Sequence, residues 1–145
     1  MTMIGKRPKT LREVASRVKK GEQGFDAAVL EFLDSFYAHP ELHAAAIREP
    51  PELIDALHDA YLSAVAEHLS MSYGLPTPEW TEMQGNDLHE PFFAGGLESL
   101  KGILVAESPT AFRRRLLFVS KNALSRPRLP VGDEDNSADP AAATR

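Results

Sequence analysis

The sequence predicts an all-α single domain, a bundle of about five or six helices with a long aromatic loop and a disordered C-terminal tail. Three observations lead there. Apolar residues recur at three- and four-residue intervals up to about residue 126. Pro and Gly punctuate those stretches where helices would begin and end. No alternating apolar–polar run exceeds four residues, so no strand is expected. With 145 residues and 43% apolar composition, one domain with its own core is the natural size. The layout is a basic flexible N-terminus (1–9), a helical domain (10–126) and a disordered tail (127–145).

Each element has a local reason. Thr10 caps a first helix over 11–20, with Glu13 three residues on as its capping-box partner. Gly21 and Gly24 end it. A second helix spans 25–39, with Val29, Phe32 and Phe36 on one face, widened by Leu33 and Tyr37. Pro40 opens a short third helix, stopped by Pro50 and Pro51. The longest helix runs over 52–73. There Leu57, Tyr61, Ala64, Val65 and His68 form the buried stripe, Glu52, Asp55, Asp59 and Ser63 line the opposite side, and Gly74 closes it. Residues 75–96 lack periodicity and read as a loop carrying Trp80, Leu88, Phe92 and Phe93; a loop this aromatic is pinned to the core or used for binding. Residues 97–107 return to helix. Ser108 and Pro109 start the last one, on which Phe112, Leu116, Val119 and Ala123 share one face while Arg114 and Lys121 lie seven apart on another. From Pro127 the chain is rich in Pro, Ala and Asp and has almost no large apolar residue.

The net charge of −5 conceals a partition. Residues 1–24 hold seven Lys/Arg against two Asp/Glu, and residues 92–128 repeat that ratio. Between them, residues 25–91 hold one Arg against thirteen acids. Two basic ends and an acidic middle can neutralise each other on folding, leave a solvated patchwork, or present opposite faces to two partners.

There is no cysteine, which removes disulfides, thiolate metal sites and thiol nucleophiles together. The N-terminus has no apolar leader, and no uncharged run approaches the ~18 residues of a membrane span. The chain therefore reads as cytoplasmic. No phosphate loop and no nucleophile elbow are present, so no catalytic residue and no cofactor are expected. His39 and His43 have helical metal-pair spacing, but Pro40 separates them and the accompanying Glu is missing. Asp55, His58 and Asp59 are a remote candidate for metal-dependent chemistry, with nothing elsewhere spaced to complete the site, so no metal is expected. Basic residues within 6–20 and the arginine segment could grip phosphates, yet a pI of about 5.5 is far from a nucleic-acid footprint.

The order FLDSFY, DAYLSAVAEHLSMSYGLPTPEW, a loop with PFF, then ESPTAFRRRLLFVSKNALSR resembles an uncharacterised family of small bacterial helical proteins. The resemblance spans about residues 10–126, and its most specific parts are GLPTPEW and SPTAFRRRLLFVS. Members of that family are often encoded beside nucleotidyltransferase-like toxins, and some are fused to helix-turn-helix domains that this chain lacks. The resemblance implies an antitoxin-like, non-catalytic module with a protein partner. On that reading Arg113, Arg114, Arg115 and Lys121 meet carboxylates on the toxin while Trp80, Phe92 and Phe93 supply apolar anchors. A DNA-binding regulator using the basic termini is the alternative.

Overall fold

The computed structural model describes residues 6–83, 88–95 and 100–126. Among the described residues the chain is mostly helical, with seven α-helical segments and one two-stranded sheet. The expected tail (127–145) and residues 1–5 of the expected flexible N-terminus lie outside the described residues, as do 97–99 of the expected fifth helix.

Helix α1 (Leu11–Lys19) starts at Thr10, whose hydroxyl accepts from Glu13 N at 3.0 Å. The Glu13 carboxylate reaches one residue past the cap and accepts from Lys9 N at 3.1 Å. Helix α2 (Phe25–Ala38) buries Val29, Phe32, Leu33 and Phe36 on the expected face. Pro40–Leu42 forms a 3-10 turn into α3 (His43–Arg48).

Helix α4 (Ala56–Tyr73) begins four residues later than the sequence suggests. Asp55 is fully extended, with φ −163° and ψ 172°, and its carboxylate accepts from His58 N at 2.9 Å, so the chain up to it stays outside the helix. Gly74 ends α4 as expected, at φ 67°, and Leu75 N donates to Ser70 O at 2.9 Å. The expected two-sided stripe on α4 is corrected. Ser63, assigned to the solvent side, is fully buried with Ala60, Leu62, Ala64 and Ala66, whereas Leu57, Tyr61 and His68 are only partly buried. The helix has neighbours on several sides, among them α5 and α7, and its small residues let them approach.

The loop after Gly74 contains a short helix α5 (Trp80–Met83). Strand β1 (Phe92–Phe93) follows, then α6 (Lys101–Glu107), α7 (Thr110–Arg113) and strand β2 (Leu117–Phe118). The strands pair in parallel, Phe92 opposite Leu117 and Phe93 opposite Phe118, with α6 and α7 in the crossover. Here the expectation of one long helix from 108 to 126 fails. Helix α7 is a single turn, Leu116 takes a left-handed φ of 65°, and the chain then extends. Burial supplies the reason: Arg115, Leu117 and Val119 are buried while 116, 118 and 120 are half-buried, a two-residue period. Ser108 does not cap α7. Its hydroxyl is buried 2.7 Å from Leu104 O and 3.0 Å from Val119 O, and accepts from Val119 N at 2.8 Å, fastening the end of α6 to the chain leaving β2.

One core joins these parts, with Leu11, Phe32, Ile47, Leu62, Leu69, Phe112 and Leu117 among its fully buried members. No helix among the described residues is long and apolar enough to cross a membrane.

Candidate partner-binding surface

The three arginines separate by environment. Arg113 is exposed. Arg114 donates through Nε to Glu67 at 3.0 Å and through Nη2 to Glu82. The Arg115 side chain is wholly buried. Its Nη1 donates to Glu67 and to Ala111 O at 2.8 Å, and its Nη2 to Thr81 O at 3.0 Å, while Nε has no partner among the described residues. Burial alone would raise the Glu67 carboxyl, but the hydrogen bonds and charges of Arg115 and Arg114 hold it below the usual range. Partial burial would lower the Arg114 guanidinium, and Glu67 and Glu82 raise it instead. This arginine–glutamate cluster ties α7 to α4 and α5; the charges of Arg114 and Arg115 are met inside the molecule.

The aromatic anchors separate as well. Trp80 is buried, and its indole N–H donates to Ile47 O at 3.0 Å, so it fixes α5 to α3. Phe92 is half-buried in the sheet. Phe93 stacks on Phe118 with ring centroids 5.1 Å apart, and Lys101 Nζ lies 4.8 Å from the Phe93 ring centre. Lys121 is exposed, and its backbone N–H lies 3.4 Å from Glu107 Oε1, which places it at the C-terminal end of α6.

Asp55, His58 and Asp59 do not converge. Asp55 binds the backbone and ring of His58, and Asp59 accepts from Ile54 N at 2.7 Å. Burial acts against ionisation at both carboxyls. It wins at Asp59, where the Asp55 charge adds to it, and loses at Asp55 to the His58 hydrogen bonds. Among the described residues no group of three or more His, Asp or Glu side chains could hold a metal ion. His43 lies flat on Phe36, 3.8 Å between ring centres, and Nε2 is 3.0 Å from Phe36 O. On α1, Arg12 pairs with Glu49, Arg17 with Glu13 and Lys19 with Glu52.

The surface that sequence reasoning missed is α6. Of its seven residues only Leu104 is buried. At 100° per residue, Lys101 and Glu107 flank Leu104 on the inner side, and both are half-buried. The outer side carries Gly102, Ile103, Val105 and Ala106, all exposed, with Ile103 at 52% and Val105 at 43%. This helix is therefore polar beside the core and apolar toward solvent. The signal was available in KGILVAE, since four adjacent apolar residues on a helix cannot all face inward.

Comparison with protein-family models, with curated proteins and with solved structures finds no match.

Proposed function

We propose that the chain is a non-catalytic protein-binding module whose docking surface is the outer face of α6. The observation that carries this reading is the inverted helix: Ile103 and Val105 stand in water with no polar side chain between them. Exposed apolar surface of this kind marks interaction sites. Lys121 lies at the C-terminal end of α6 and Lys101 in its first turn, so a basic residue stands at each end of the helix. Such a surface fits an apolar groove edged with carboxylates. The family resemblance makes a nucleotidyltransferase-like toxin, whose active site holds its metal on carboxylates, the partner to test first. The Arg114–Glu67–Arg115 cluster and Trp80 serve in this reading as the scaffold behind the surface, and Phe93 as its edge.

The test is titration calorimetry of the full chain against a nucleotidyltransferase-like protein from the same genome. Ile103→Glu combined with Val105→Glu should weaken binding by more than ~100-fold, and Lys121→Glu by about tenfold, with unchanged melting temperatures. Unchanged affinity of the α6 double variant, or no complex with any such protein, overturns the reading. A homodimer that the double variant dissociates also overturns it, by assigning the face to a second copy.

A further inference from the structure

We propose that the cavity where the first turns of α2 and α4 meet β1 is a binding site for a small organic amine, a protonated nitrogen on an aromatic or alkyl body. The cavity holds about 390 Å³, within the range of small-molecule sites. Its walls are aromatic. Phe25 lies 4.2 Å from the His58 ring and meets Tyr61 edge-on at 5.7 Å, and Phe92 faces them from the sheet side.

The polar groups in these walls favour a donor. The Asp26 carboxylate is exposed and pairs with no cation among the described residues. Asp55 Oδ2 lies 2.9 Å from His58 Nδ1, so in the neutral ring the proton sits on Nδ1 and Nε2 offers a lone pair. Nε2 has no hydrogen-bond partner among the described residues. Burial and the Asp26 charge push the Tyr61 phenol up to about 12, so it stays neutral. Among the described residues no Lys or Arg lines the cavity. The N-terminal ends of two helices would by themselves favour an anion. Asp26 in the first turn of α2 and Asp55 at the cap of α4 offset both ends. What remains is a set of ring faces and acceptors, which together attract a desolvated ammonium through its N–H groups and through the rings.

The experiment is a ¹H–¹⁵N NMR titration of the full chain near neutral pH with three isosteric probes: phenethylamine, 2-phenylethanol and phenylacetate. Phenethylamine should bind at least about tenfold tighter than the alcohol, with shifts centred on Asp26, His58 and Tyr61, and phenylacetate should bind weakest. Asp26→Asn should remove most of the preference for the amine and leave the alcohol unchanged, an effect that a purely structural role would not produce. Equal affinity for amine and alcohol, tighter binding of phenylacetate, or no binding of phenethylamine overturns the proposal. Tighter binding of Nα-acetyl-lysine amide than of phenethylamine overturns it too, by assigning the ammonium to a protein side chain.

Discussion

Arg115 shows how much one buried side chain decides. Its guanidinium has no solvent exposure and binds Glu67, Thr81 and Ala111. Truncation removes a charge that Glu67 needs and orphans two carbonyls. Arg115→Ala should cost about 3 kcal/mol in urea unfolding, and Arg115→Met less, because methionine keeps the stem and leaves Arg114 to pair with Glu67. The same pairing makes a pH prediction. The folded Glu67 carboxyl ionises below its ordinary value of 4.5. The stability it contributes is therefore fully present above that value and is lost as pH falls through the lower folded one. Acid titration of stability should show this loss below about pH 4.5, and Glu67→Gln should flatten it. Trp80 is the only tryptophan. With its indole on Ile47 O, it should emit at short wavelength, resist acrylamide quenching and shift red only on unfolding. An anchor held out for a partner would be quenched in the isolated protein.

Elements were legible where their causes are local. Thr10 capping α1 and Gly74 closing α4 were both readable, because a cap depends on neighbours a few residues away. Gly74→Ala should cost about 1 kcal/mol in thermal melts, since its φ of 67° suits only glycine well. The segment after Arg113 was illegible for the opposite reason. In Leu116-Leu117-Phe118-Val119 every residue is apolar, so helical and extended burial leave the same sequence trace. What settles it is distant: Phe92 N donating to Leu116 O, and the Ser108 hydroxyl on Val119. Ser108→Ala should cost about 1–3 kcal/mol, because it strips the buried Val119 N–H of its partner. The candidate site divides in the same way. Basic and aromatic residues were visible in the chain, but their burial was not, and two of the three arginines turned out to face a glutamate.

For the whole molecule, the three charge blocks are the organising fact. Arg12 pairs with Glu49 and Lys19 with Glu52, joining the first basic block to the acidic middle. Arg114, Arg115 and Arg126 join the second, through Glu67 and Asp34. Of the three arrangements the sequence leaves open, these pairs belong to the self-neutralising one. Such pairs are partly screened, so raising salt from about 0.05 to 0.5 M should lower stability by the order of 1 kcal/mol, with the Arg126–Asp34 and Arg115–Glu67 contacts, the most buried, least affected. The Arg126–Asp34 contact also has a bearing on synthesis. It joins residues 92 apart, and Tyr37 reaches Leu124 O across 87. A ribosome delivers the first basic block and then the acidic stretch long before residues 113–126 emerge. Until then Asp34 and Glu67 lack the arginines that face them in the folded chain. The part of α2 that carries Asp34 and Tyr37 thus waits, with its partners unmade, for residues 124–126 to leave the ribosome.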